Sequence, residues 1–251
     1  MTQQDAGMLK YASMLNHAIF LYTSGEYKYH RGVFMWMTKA AKLGDINAMY
    51  HLARMLDQGK GCVKNHNDAF MWMTKAAKLG CIDSMHYIAN MLLRGKGCDK
   101  NHKDAFMWMK MVADRGREDA KYHLALMFLF GYGCDKSLPE AIKYMQDAAE
   151  LGHIRSMYHF ACMLEQGKCC DKNIKESIKW MEKAANLGDT DAMYSIAIML
   201  CSDKWLKIAA ENQHSEAIIV IELLSLSKCR KRNINNLENK KNKKQKKQNK
   251  K

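Results

Sequence analysis

The chain has 251 residues, with 40 Lys and Arg against 26 Asp and Glu, a formal net charge of +14, and a single proline. One proline in that length favours a protein made almost wholly of helices and disfavours a sheet-rich or loop-rich fold. The charge is concentrated: residues 228–251 hold twelve Lys or Arg and one acid, Glu238, a net of +11, leaving +3 for residues 1–227. The excess of positive charge that suggests nucleic-acid binding therefore lies in the tail, and the folded part is close to neutral.

In chain order, the opening MTQQDAGMLKYASMLNHAIFLYTSG lacks the basic segment and unbroken apolar stretch of a secretion signal. No apolar run reaches the roughly 18 residues of a membrane helix, so no membrane span is expected. Nine cysteines is an odd number, and together these features imply a soluble, intracellular, cytoplasmic protein with mostly reduced thiols.

From residue 34 the chain repeats itself. FMWMTKAAKLG at 34–44 recurs unchanged at 70–80, then as FMWMKMVADRG from 106, IKYMQDAAELG from 142 and IKWMEKAANLG from 178, each 36 residues on. A shortened copy, DKWLKIAAENQ, brings Trp205 only 25 residues after Trp180. Within this phrase Ala69, Trp72, Ala76 and Leu79 fall on one helical face, with Phe70, Met73 and Ala77 as a second stripe. Gly44, Gly80, Gly116, Gly152 and Gly188 follow, placed to end the helix in a left-handed conformation. Between the copies runs a second pattern, AMYHLARMLDQGKGC from Ala48 with relatives from Ser84, Ala120 and Ser156. In it Ala48, Leu52, Ala53 and Leu56 make another stripe with small residues at its centre. The next helix opens with a polar cap and an acid three residues later: Asn65 with Asp68, Asn101 with Asp104, Ser137 with Glu140, Asn173 with Glu176. Each unit is then two antiparallel helices that must stack on a neighbour to hide their faces.

The alanine, leucine and small-residue pattern of the first helix, the following G-x-G, and the capped second helix with an aromatic and Lys-Ala-Ala before a glycine resemble the Sel-1-like repeat, a relative of the tetratricopeptide repeat. The resemblance covers about residues 8–213. It implies an all-α fold, a right-handed α/α superhelical solenoid of about six helix-turn-helix repeats. The expected division is a solenoid over 1–213, a capping helix over 214–227 and a disordered Lys/Asn-rich basic tail over 228–251. It also implies a non-enzymatic adaptor holding proteins in a concave groove. Three features depart from the family pattern. Cys62, Cys98, Cys134 and Cys170 stand where valine is common, Cys169 replaces a loop glycine, and the first unit has a shortened loop, SGEYKYHRG.

GKGC at Gly59 and Gly95 follows a helix, not a strand, so it reads as a helix-ending turn and not a phosphate-cradling loop. The cysteine column is too widely spaced for disulfides or a shared zinc ion and reads as small buried thiols. Cys169 and Cys170, adjacent in a turn, are the cysteines expected to be reactive. The tryptophans read as core wedges. No nucleophile, base and orienting group can be assembled, so no catalytic residue, metal ligand or cofactor is expected.

The first helix carries a column of His51, Tyr87, His123, His159 and Ser195, beside one of Arg54, Asn90, Leu126, Cys162 and Ile198. The second column changes freely between copies while the core columns do not, as a binding face would and as an unconstrained solvated face also would. The expected partner-binding residues, exposed on the concave face, are His51, Arg54, Asn90, His123, His159 and Cys162, taking a protein or peptide. The alternative is a nucleic-acid-associated or nuclear protein whose residues 228–251 bind nucleic acid while the solenoid recruits partners.

Overall fold

In a computed structural model of the chain, residues 30–167, 172–200 and 202–225 are described, and these form helices joined by short turns with no strand. The expectations for residues 1–29, for Cys169 and Cys170, and for the basic tail lie outside them. Two compact units divide the chain, Met1–Leu151 and Gly152–Lys251. In the first, helices α1 (His30–Lys42), α3 (His66–Lys78), α5 (His102–Ala113) and α7 (Leu138–Glu150) are the second helices of successive repeats, and α2 (Ile46–Gln58), α4 (Ile82–Arg94) and α6 (Glu118–Phe130) are first helices. Within this unit consecutive helices pack on one another. In the second unit α8 (Ile154–Gln166), α9 (Ile174–Asn186), α10 (Thr190–Met199) and α11 (Asp203–Glu211) continue the alternation, followed by α12 at 215–225, which lies within the expected capping segment.

The caps explain where these helices begin. Asn65, Asn101 and Asn173 each accept the backbone N–H of the residue three positions on, at 3.0–3.1 Å, satisfying one of the orphan donors of the first turn. Ser137 is the exception, because its side chain makes no cap hydrogen bond. Pro139 in that first turn has no N–H to satisfy, and its fixed backbone angle already suits a helix start. The glycine stops adopt the left-handed region, from φ 86° at Gly116 to 103° at Gly152.

The core differs in one respect from the stripe read in the sequence. In α3 the buried side chains are Ala69, Met73, Ala76 and Ala77, while Leu79 is 54% exposed and Trp72 only partly covered. The methionine after the aromatic is the interior residue in every repeat: Met37, Met73, Met109, Met145 and Met181 are all at most 1% exposed. The tryptophan rings border the core, with Lys75 Nζ 4.5 Å from the Trp72 centroid and Lys183 Nζ 4.8 Å from that of Trp180. An indole is too large to fit between alanine-lined helices, whereas an unbranched thioether fits there. Ala48, Leu52, Ala53 and Leu56 of α2 are buried as the pattern requires.

Candidate functional site

All six residues expected on the partner-binding face are partly buried, not exposed. His51 and Arg54 lie on α2, Asn90 on α4 and His123 on α6, in the first unit; His159 and Cys162 lie on α8, in the second. In the first unit, successive first helices are near enough to bond to one another. Tyr87 of α4 donates its hydroxyl to Asp57 of α2 at 2.5 Å, and Arg117, just before α6, pairs with Asp83 of α4 at 2.8 Å.

Asn90 and His123 come together in one cavity of about 350 Å³, lined also by Tyr87, Met91, Arg94 and Lys96. The helix α4 supplies four of the six because its 3.6-residue period puts positions 87, 90, 91 and 94 on one face. Gly95, with φ 68°, ends the helix there, its N–H bonding to the Met91 carbonyl, and the turn brings Lys96 back over the same face. The guanidinium of Arg94 is exposed and has no ion-pair partner among the described residues.

Beneath this wall lies Asp57, a carboxylate only 4% exposed. Its Oδ1 pairs with His66 Nδ1 at 2.8 Å, and its Oδ2 accepts from Tyr87 and from Lys96 Nζ at 2.7 Å. Burial pushes its carboxyl up, but the bonds from Lys96, Tyr87 and His66 outweigh that and hold it below the ordinary carboxylate range. Burial, then the bond to Asp57, pushes the Tyr87 hydroxyl well above its usual value, so it serves as a donor. A second polar cluster joins the N-terminal ends of α4 and α6. Arg117 bridges Asp83 and Asp119 at 2.8 Å each, and Asp119 stands 3.6 Å from His86. Burial opposes ionisation of Asp119, yet Arg117 and His86 bring its carboxyl down to about 2.

Burial lowers the pKa of His51, His86 and His159, aided by Arg54 at His51 and Arg155 at His159. The unfolded chain therefore takes up protons that the folded chain resists as pH falls through about 6.5, and stability falls with it. Asp57 and Asp119, whose carboxyls are depressed, contribute stability above the ordinary carboxylate range that is lost at still lower pH. Thermal melts across the histidine range should show Tm decreasing with acidification. A flat or rising Tm there would show that the histidines do not resist protonation.

Cys62 and Cys134 donate their thiols to the carbonyls of Met55 and Met127, and Cys98 to that of Lys96. Burial raises the pKa of all three, so each is held as a thiol. No group of three or more His, Cys, Asp or Glu among the described residues is placed to hold a metal ion, and no described helix is long and apolar enough to cross a membrane.

Sequence reasoning found two of the six cavity residues. Tyr87 was visible as the odd member of the histidine column. Asp57 had a usable signal too, since its register holds Leu93 and Leu129 in the next two repeats before an acid returns at Glu165; an acid where neighbouring repeats place leucine requires partners.

Comparison with known proteins agrees with this architecture. A Sel1 repeat protein from Oxalobacter formigenes superposes with a TM-score of 0.72 at 23% identity, over 81% of this chain and 86% of that one. A protective antigen present in uropathogenic Escherichia coli strains, of SLR fold, superposes with a TM-score of 0.69 at 24% identity over 75% of this chain. This chain spans only 43% of that antigen's length. At these identities the likeness concerns the fold alone. No curated protein matches the chain. The Sel1 repeat profile matches residues 34–45, 46–81, 82–116, 118–153 and 154–189, more than half of the sequence, and the chain belongs to the Sel1 repeat family.

Proposed function

We propose that the protein is a non-enzymatic scaffold that binds a protein or peptide on the face built from its first helices, with the cavity at Tyr87, Asn90, Arg94, Lys96 and His123 as the anchor point. The observation that supports this reading is the cavity, where Asn90 of the varying column on α4 meets His123 of the histidine column on α6 beside the unpaired guanidinium of Arg94. Family membership supports a binding role over catalysis. His51 and Arg54 extend the same face on α2, and His159 and Cys162 supply its counterpart on α8.

A second reading rests on the net charge of +11 over residues 228–251, in which the tail binds nucleic acid and the repeats recruit partners. Affinity capture from the native cell, with the full chain and with residues 228–251 deleted, separates the two. The scaffold reading expects a partner that survives the deletion and is lost when Arg54 and Asn90 are both changed to Glu. Loss of every partner on deleting the tail, with steep salt dependence in the full chain, would replace it with the second.

A further inference from the structure

The cavity wall is built differently from the equivalent positions elsewhere in the first unit. The register of Arg94 holds Gln58 one repeat earlier and Phe130 one repeat later, and that of Lys96 holds Lys60 and Tyr132. Two cations meet at this repeat junction, and in the next one both are replaced by aromatics. Directly behind them stands Asp57, in a register that Leu93 and Leu129 fill with apolar side chains. The solenoid therefore does not need an acid at that position, and burying one without a partner is costly. Asp57 is accommodated because three donors from three separate elements reach it: His66 at the start of α3, Tyr87 on α4 and Lys96 in the loop after α4. Two of those donors line the cavity.

The bonding leaves a specific surplus. Lys96 has one of its three N–H groups on Asp57, and its charge is neutralised there. Arg94 keeps its whole planar fork and its charge. With Arg94 and Lys96 positive and Asp57 negative, the site has one net positive charge. A guanidinium fork with one uncompensated charge matches one carboxylate, which it grips through two parallel N–H···O bonds. A dianion would bring a second, unmatched negative charge towards the buried carboxylate of Asp57 behind the wall, which repels it. The volume of about 350 Å³ is sufficient for an acidic side chain and its flanking peptide groups.

We propose that this cavity is a receptor for a single carboxylate, the Asp or Glu side chain of a partner peptide, with Arg94 as the binding residue and Asp57 as the residue that sets its selectivity for one negative charge. This builds on the scaffold reading by naming the chemistry of its anchor point. Tyr87, whose one O–H is committed to Asp57, and Asn90 form the polar part of the wall.

The test uses the full chain and three small probes titrated by NMR: N-acetyl-aspartate N-methylamide, the matching blocked asparagine, and the matching blocked phosphoserine at a pH where its phosphate is dianionic. The blocked aspartate should shift the side-chain signals of Arg94 and Asn90. It should bind about tenfold more tightly than the asparagine, which has no charge for the fork, and about tenfold more tightly than the phosphoserine, whose second charge is repelled by Asp57. Arg94→Gln should abolish that preference. Asp57→Leu, which places there the residue of the next two repeats, removes the common partner of His66, Tyr87 and Lys96 and should fold with a lower Tm. By freeing the charge of Lys96 it should shift the preference about tenfold towards the phosphoserine. An asparagine probe that binds as well as the aspartate, or an aspartate/phosphoserine ratio unchanged in Asp57→Leu, overturns the proposal. Should Asp57→Leu not fold, Lys96→Gln reads the same balance from the other side and should weaken binding of both anions. The probes bind or fail to bind whether or not a partner is ever captured. A scaffold whose partner survives Arg94→Gln would sink the carboxylate proposal alone.

Discussion

A chain carrying Gly97→Ala should lose about 3 kcal/mol of stability, and one carrying Gly80→Ala only about 1. Both glycines have positive φ, 70° and 97°, so both substitutions incur the backbone strain of an L-residue in the left-handed region. The difference lies in the surroundings. A Cβ added at Gly80 meets no atom within 4 Å, whereas one at Gly97 would overlap the carbonyl of His66 at the start of α3. That obstacle is backbone, so it cannot rotate away as a side-chain tip could. The loop has to lift off the preceding repeat, and Lys96, its neighbour, would be pulled from Asp57. Urea unfolding of the two variants, compared through their midpoints at equal m, checks this. Equal losses would mean that the loop does not rest on α3 as described.

Met73→Ala is expected to cost about 3 kcal/mol, within the range for emptying a core site by several methylene-sized groups. Met73 is 0% exposed, and the alanines around it, Ala69, Ala76 and Ala77, have no longer side chains to move into the cavity. Met71, two residues away and 42% exposed, provides the control, and its replacement by alanine should cost less than about 0.5 kcal/mol. Similar losses at both positions would place the core on the wrong face of α3.

These two methionines show where the sequence was legible and where it was not. The period of 36, the alternation of helices, the asparagine caps and the glycine stops are local patterns whose chemistry acts within a few residues, and they could be read directly. Which apolar stripe faces inward depends on how closely the neighbouring helix approaches. Alanines at 69, 76 and 77 bring it too close for an indole, so Trp72 is displaced outward and Met73 takes the interior. In the cavity, Asn90 was visible because its column varies, and His123 because histidine recurs in its column at 51 and 159. Arg94 resembled an ordinary cation in a last helical turn, and Lys96 an ordinary turn residue. Asp57 resembled a solvated acid near a helix end. Its partners stand 9, 30 and 39 residues away, separations that no local pattern links.

The replacement of Asp57 by leucine in the next two repeats, before an acid returns at Glu165, has a consequence for how the first unit assembles. Residues 34–44 and 70–80 are identical, so neither helix can tell its proper neighbour from the other's by its own side chains. A stack misaligned by one unit would keep most apolar contacts, and chains built from near-identical modules are prone to that error. Such a slip would present Leu93 to the three donors in place of Asp57, or leave Asp57 facing the aromatic pair of the following loop, a charge buried without its counterions. The three bonds to Asp57 therefore favour the native register over a one-unit slip in this part of the stack.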